Sequence, residues 1–507
     1  MMNNDRRHAM TGSHHDIIIR HGTLIDGSGA RRFRADLAVD GDRIAAIGNL
    51  AGARGRSEID AAGLIVAPGF IDAHSHDDIA LFTQPDMVFK TSQGCTTTVI
   101  GNCGFSAAPL APRESYPADF LLGDPAWYRF PRMADYFAAL EATPAAVNTV
   151  ALVGHSALRV GCMSELDRPA RAHEIGAMRA LLTEALADGA VGISTGLEYP
   201  SNKAADTDEV VALAEVAAAM GGLFTTHARN YDDHFRAALE EALEIGRRSG
   251  APVILSHLQG DGPENIGHVA WSLPQIDQAR REQAVGLDVY PYNAACTIID
   301  PAFVTSASQV LVTFSKPHPK MANRYLDEIA AEWGVNRIAA AERLAPGGAI
   351  YFCQDEADVQ AILTYPPTMI GSDGLPGGDF NHPRAWGSFP RVLGHYARDL
   401  GLFDLETAIH KMTGLTAGRF GLIDRGKLAV GAFADVTIFD PARIVDRATF
   451  TEPTAQSEGI TDVLVNGAFV WRGGKPTGTR SGRPLRRETR LRSATLSQPR
   501  VTALADF

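Results

Sequence analysis

Six residues of this chain are of the kinds that hold metals and move protons, and each follows a short apolar run. They are His74 and His76 in GFIDAHSHDD (69–78), Cys103 in TTTVIGNCG (96–104), His227 in GLFTTH (222–227), His257 in PVILSH (252–257) and Asp373 in TMIGSD (368–373). In an extended strand, residues i and i+2 share a face, so the first run delivers two imidazoles side by side, with Asp72 on the same face. Imidazole and thiolate donors suit a borderline divalent ion such as Zn²⁺. Taken singly, each residue has an ordinary explanation: a small buried cysteine, a satisfied core histidine, an aspartate shaping a turn. A Cys/His/Asp set drawn from five separate strand ends is better explained as one metal site.

The elements that must position these residues are legible as a repeated strand-then-helix rhythm. Between about 68 and 414, apolar runs such as NTVALVG, GAVGISTG and PVILS alternate with Ala-rich helical stretches such as RAHEIGAMRALLTEALAD and HFRAALEEALEIGRRSG. Continuous apolar strands separated by helices imply a parallel sheet covered on both faces. About eight such units predict an α/β fold of the (β/α)8 TIM-like barrel type, whose C-terminal strand ends carry chemistry. Residues about 298–350 interrupt the rhythm and read as a small insertion in the barrel. Before the barrel, DIIIRHGTLIDGSG and ADLAVDGDRIAAIG alternate apolar and polar residues around Asp-Gly turns; LAVGAFADVTIFD and TDVLVNGAFVWRGG do the same near the end. Residues 16–67 and 415–478 are therefore expected to form one small β-sandwich built from both chain ends. Residues 1–15 read as a flexible N-terminus and 479–507 as a basic, extended, solvated tail.

Composition narrows the function classes. Hydrophobic residues make up 45% and charged residues 21%, an ordinary globular balance. A formal net charge of -12 argues against nucleic acid as a partner. No apolar run approaches the roughly 20 residues needed to span a bilayer, and the N-terminus carries no hydrophobic leader. Five scattered cysteines fit a reducing, cytoplasmic setting, where a special cysteine serves as ligand or nucleophile. A small-molecule partner is expected, with the oligomeric state open.

The chain resembles the D-aminoacylase (N-acyl-D-amino-acid deacylase) family of the amidohydrolase superfamily. The resemblance rests on PGFIDAHSHDD (68–78), QGCTTTVIGNCGFSAAP (93–109), GISTGLEYP (192–200), TTHAR (225–229), LSH (255–257), VYPYNA (289–294), FSKPHP (314–319) and IGSDGLPGG (370–378). It implies one tightly held Zn²⁺ on Cys103, His227 and His257, with His74 and His76 lining a weaker second metal position. In the family a cysteine stands where most two-metal amidohydrolases place a carboxylated lysine. The resemblance further implies that Asp373 is the general acid/base of amide hydrolysis on N-acyl-D-amino acids, and that Tyr199 contacts the reacting amide. Arg229 and Tyr292 are expected at the substrate, with Thr297, Ser315 and Lys316 as lesser candidates for the pocket wall.

Two departures bear on the substrate. The family follows the second zinc histidine with His-Lys, whereas this chain has Leu258-Gln259; after THAR it has Asn230-Tyr231 in place of an acidic pair. An alternative is therefore the same chemistry on another linear amide or on a cyclic one, although the GNCGF cysteine counts against cyclic amidases. A non-catalytic scaffold is the third reading, opposed by the six filled positions.

Overall fold

The computed structural model describes residues 13–113, 115–117, 119, 124–376 and 381–487. Eight parallel strands follow one another round a barrel: Phe70–Asp72, Cys95–Ile100, Asn148–Gly154, Gly192–Gly196, Leu223–His227, Val253–Leu255, Val285–Val289 and Thr368–Ile370. The first and last meet through backbone bonds, from Ala73 N to Ile370 O (3.1 Å) and from Asp373 N to His74 O (2.8 Å). Nearly every residue of these strands is buried, which is why they read as unbroken apolar runs. Alternate side chains divide between two cores. Ile71, Val99, Val150, Leu152, Val191, Leu223, Ile254 and Met369 fill the barrel. Phe70, Ile100, Val153, Ile193, Phe224 and Leu255 face outward to the helices.

The covering helices start on local signals. Asp206, Asp355 and Asp404 accept backbone N–H bonds at the first turns of the helices Thr207–Ala219, Glu356–Thr364 and Leu405–Met412. Gly250, at φ 72°, ends Phe235–Ser249 in the left-handed conformation that favours glycine. No helix among the described residues is long and apolar enough to cross a membrane.

Both chain ends contribute to one mixed nine-stranded sheet. It curls back on itself, because Ile44 exchanges backbone bonds with Gly431 and Ala432 just before the strand Val436–Phe439. The curl encloses a core of Ile17, Ile19, Leu37, Val39, Val66, Val436 and Leu464. Its strand Ile65–Pro68 runs straight into the first barrel strand, and Thr437 Oγ1 donates to Gly94 O at 2.6 Å, so this unit and the barrel are joined at the start of the site-bearing run. The first strand already begins at His14, inside the N-terminal segment expected to be flexible; the rest of that segment lies outside the described residues apart from Ser13. A separate four-stranded antiparallel sheet spans Ala295–Ile298, Gln309–Ser315, Arg324–Tyr325 and Gly347–Phe352, with two helices and a core of its own.

The start of the expected solvated tail is instead docked. Gly482 N donates to Ala145 O (2.9 Å), Leu485 N to Thr149 O (2.7 Å) and Arg487 N to Gly189 O (2.9 Å), across the floor of the barrel. Leu485 packs under the barrel core, an apolar contact that the basic composition of the segment conceals. Residues 488–507 lie outside the described residues. A Cβ on Gly482 would stand 2.0 Å from Val147 O, a backbone atom that cannot step aside. Gly482→Val should therefore cost about 1–3 kcal/mol, read as a lowered thermal unfolding midpoint; an unchanged midpoint would refute the docking.

Candidate metal centre

The barrel gathers the six residues at one end, where its strands finish. His74, His76, Cys103 and Asp373 form one set of donors, and Cys103, His227 and His257 a second, with the atoms of each set within 4.8 Å of one another. Cys103 belongs to both. Its Sγ lies 3.2 Å from His74 Nε2 and 3.6 Å from His257 Nε2, while His227 Nδ1 lies 3.1 Å from His257 Nε2. Tetrahedral zinc, with bonds of about 2.0–2.1 Å to nitrogen and about 2.3 Å to sulfur, separates two nitrogens by about 3.3 Å and a nitrogen from a sulfur by about 3.6 Å. The spacing and the soft-plus-borderline donors of the second set fit that ion.

The backbone is held out of its comfortable range to achieve this. Cys103 (φ 52°), His257 (φ 32°) and Asp373 (φ 46°) all have positive φ without being glycine, a strain of about 1–3 kcal/mol each that persists only where surrounding bonds enforce it. Those bonds are present. His257 N donates to Asp288 Oδ1 at 2.9 Å, and Asp373 N to His74 O. Around Cys103, a Cβ on Gly196 would fall 2.2 Å from the Cys103 carbonyl oxygen, so the fourth strand must pass there without a side chain.

Carboxylates set which imidazole nitrogen is free. Asp288 sits 3.2 Å from His74 Nδ1, and Glu198 sits 3.0 Å from His227 Nε2. Each accepts the N–H and leaves the lone pair of the other nitrogen, His74 Nε2 or His227 Nδ1, on the side of Cys103, available to a metal ion. Burial alone would push the Cys103 thiol up, but the charge of His74 and the bonds from His227, His257 and His74 outweigh it and hold the thiol well below its ordinary value. Burial would likewise raise Asp373, yet Arg384, His74 and His76 keep it well below the usual carboxylate range. The histidines respond in the opposite sense. Burial opposes their charged forms, but hydrogen bonds to Asp373 and Cys103 raise His76 to about 9, and bonds to Cys103 and Glu198 raise His227 to about 9. A buried thiolate among carboxylates demands positive charge, which protons or a divalent cation can supply.

The acids flanking the histidine pair do not join the donors, contrary to the shared face expected for Asp72. The strand ends at Asp72, which turns to Ser372 N (2.8 Å) and to the buried Lys90, leaving the histidines on the segment beyond. Asp77 accepts from Thr98 Oγ1 (2.6 Å) and pairs with Lys90 (3.2 Å). Asp78 accepts from Gly101 N (3.3 Å) and Ala107 N (3.1 Å), so it clasps the loop that carries Cys103.

A narrow cleft opens on His227, His257 and Asp373. Tyr199 and Thr297 line it. The Tyr199 ring lies tilted 4.6 Å from that of His227, and Thr297 Oγ1 donates to Tyr199 Oη (3.1 Å), leaving the phenolic proton to be donated elsewhere. Arg229 does not line the cleft. Its guanidinium forks onto Glu241 (2.7 and 2.8 Å) and donates to Lys203 O and Ala205 O (3.0 Å each), tying barrel loops together. Tyr292 is also displaced, packed behind the wall against His382 and Phe450; Tyr290 lines the cleft in its place. Ser315 is buried on Leu344 O and Lys316 is exposed, both away from the cleft. Of the departing residues, Leu258 is buried in the core, Gln259 lines the cleft, and Tyr231 packs 4.9 Å from His227.

Sequence reading missed Glu198, Asp288 and Arg384. Asp288 lies one residue before the end of the apolar strand Val285–Val289, a signal close to the one that marked His227, and Glu198 adjoins Tyr199 just past a strand end. Arg384 carries no such signal. It reaches back from the segment after the last strand to place Nη1 2.9 Å from Asp373 Oδ2, with its guanidinium 4.5 Å over the Tyr290 ring.

Comparison with known proteins adds the following. The model of the family described as "Amidohydrolase family" matches residues 57–280 and 321–471. A D-aminoacylase of Alcaligenes xylosoxydans xylosoxydans is 52% identical over 472 residues, covering 93% of this chain and 98% of that protein. A crystal structure of D-aminoacylase superposes with a TM-score of 0.91 at 49% identity, over 93% of this chain and 100% of the other. The N-acyl-D-glutamate deacylase of Bordetella bronchiseptica, solved with zinc and a phosphonate mimic of its tetrahedral intermediate, also gives 0.91, at 47% identity over 94% and 100% of the two chains.

Replacing Cys103 with Ala should lower the metal content of the purified protein, since both donor sets share its sulfur. Asp288→Asn should weaken metal affinity by about 10–100-fold. Metal-to-protein ratios by elemental analysis check both, and unchanged stoichiometry in Cys103→Ala would refute the shared-donor geometry.

Proposed function

Because this chain belongs to the amidohydrolase family and, within it, to the D-aminoacylases, we propose that it hydrolyses the amide bond of N-acyl-D-amino acids, releasing a carboxylate and the free D-amino acid. The observation that carries this reading is the Cys103 sulfur shared by two donor sets, with Asp373 in one of them and a cleft above. Cys103, His227 and His257 are the ligands of the tightly held zinc, and His74 and His76, with Asp373, line the place for a weaker second ion. When bound, zinc polarises the amide carbonyl and brings the pKa of its water down to about 7.

The chain's own residues supply the rest. Asp373 is ionised, and its Oδ1, 3.1 Å from His76 Nε2, accepts the proton of the attacking water. The same oxygen then delivers that proton to the departing amine nitrogen, which leaves poorly unless protonated. Tyr199 has its proton free and donates it to the oxygen on which charge builds in the tetrahedral intermediate. Arg384 lines the cleft with its Nε buried and unpartnered, and it takes the role of holding the substrate carboxylate that Arg229, spent on Glu241, cannot. Five free cysteines agree with work in a reducing compartment, the cytoplasm.

Asp373→Ala should keep its fold and its zinc while losing about a thousandfold in kcat. Amine release from paired N-acetyl-D- and N-acetyl-L-amino acids, with zinc assayed on the same sample, checks the reading. Only the D forms should turn over, and stripping the metal should abolish the activity. Wild-type-like turnover by Asp373→Ala would sink the mechanism, and equal use of L forms would sink the substrate class.

A further inference from the structure

On the wall of the cleft away from the donor sets, the amide pair Gln259 and Gln354 has its N–H donors consumed and one acceptor left over. Gln354 Nε2 donates to Asp261 Oδ1 (2.9 Å) and to Tyr290 Oη (2.8 Å). Its Oε1 in turn accepts from Gln259 Nε2 (3.1 Å), which also donates to Tyr292 O (2.8 Å). The chain of bonds fixes both amide orientations, because turning Gln354 over would aim its oxygen at the Asp261 carboxylate. Gln259 Oε1 is thereby left buried with no partner.

Charge points the same way. Glu198, Asp232, Asp261 and Asp373 all line this cleft, against one guanidinium, that of Arg384, whose Nη1 is already bound to Asp373. Glu198 and Asp373 are matched by the histidines of the donor sets. Among the described residues, neither Asp232 nor Asp261 takes part in an ion pair. A substrate side chain entering here meets acceptors and two carboxylates outside any ion pair, both raised by burial, Asp261 to about 6. A terminal carboxylate would be desolvated against carboxylates, whereas a terminal N–H would satisfy an acceptor that is otherwise buried and unpaired.

We propose that this cleft selects N-acyl-D-amino acids whose side chain ends in a hydrogen-bond donor (a carboxamide, ammonium or guanidinium) and rejects those ending in a carboxylate, with Gln259 and Asp261 as the specificity-determining residues. The inference rests on the N-acyl-D-amino-acid reading above and adds the side-chain class to it.

N-acetyl-D-glutamine and N-acetyl-D-glutamate are nearly isosteric, so their kcat/KM ratio on the zinc-loaded enzyme isolates the terminal group, with N-acetyl-D-methionine as an uncharged control. The glutamine compound should be preferred by about 100-fold or more, since a site built to pair a donor loses heavily when the donor is absent. N-acetyl-D-lysine should likewise exceed the glutamate compound. In Asp261→Asn the glutamine-to-glutamate ratio should fall at least about tenfold at unchanged zinc content. Turnover of the methionine compound with glutamate matching or exceeding glutamine would overturn the selectivity and leave the parent reading intact. An unchanged ratio in Asp261→Asn would remove Asp261 from it. Silence towards all of these D compounds would overturn the parent reading, and this inference with it.

Discussion

The sulfur of Cys103 is the point on which the rest of the site depends. It is the one donor common to both sets, it is buried, and it is held well below its ordinary pKa by the imidazoles around it. A thiolate in that position imposes a demand for positive charge that its surroundings must meet, and each nearby feature can be traced to that demand. The histidines turn a nitrogen towards it, carboxylates behind them take the other nitrogen's proton, and the loop that carries it is bent through a positive φ and clasped by Asp78. Remove the sulfur, and the two sets lose the atom that joins them.

The barrel makes the arrangement affordable because its backbone is fully paired and rigid where the donors leave it. Asp72, Asp77 and Lys90 form a buried ionic cluster directly behind the histidine pair, bonded to Ser372 just past the last strand and to Thr98 of the second. Breaking such a cluster on one side is strongly destabilising, because a charge is left buried alone. Its effect is to pin the first strand to the second and the last, which fixes the distance from His74 and His76 to Cys103 and Asp373. The GFIDAHSHDD stretch is thus two devices in one. Its histidines face the donor sets, and its aspartates anchor the strand and loop that make the histidines useful.

The wall of the cleft draws on a further part of the chain. Ala295, Cys296, Thr297, Phe303, Ser306 and Tyr351 reach the cleft from the small antiparallel unit, while the metal donors come from the barrel. The wall of the cleft is therefore shared between the barrel loop after His257, which carries Gln259 and Asp261, and the small antiparallel unit. The hydrogen-bonded pair Gln259 and Gln354 lies where the two pieces meet.

What the sequence determined by itself was whatever is local. Apolar runs with helical stretches between them give eight parallel strands, and a polar residue just past such a run lands at the barrel's active end, so His74, His76, Cys103, His227, His257 and Asp373 could be named before any coordinates. The two β-rich ends could be joined by their shared pattern for the same reason. Only the tertiary structure decided which groups satisfy one another. Asp288 and Glu198 acquire their roles because neighbouring strands bring them to His74 and His227, and Arg384 because the chain after the last strand folds back over Asp373. Arg229 lost its expected place because Glu241, twelve residues on along the chain, sits within reach of its fork; Tyr292 lost its own to Tyr290 where the segment bends tightly, Tyr292 N donating to Tyr290 O (2.9 Å). Leu485 shows the same limit, since a single apolar residue in a basic stretch reveals its partner only once the barrel floor exists. A strand's periodicity is set by its own residues, whereas the partner of a buried charge is set by closure of the barrel, which brings together residues hundreds of positions apart.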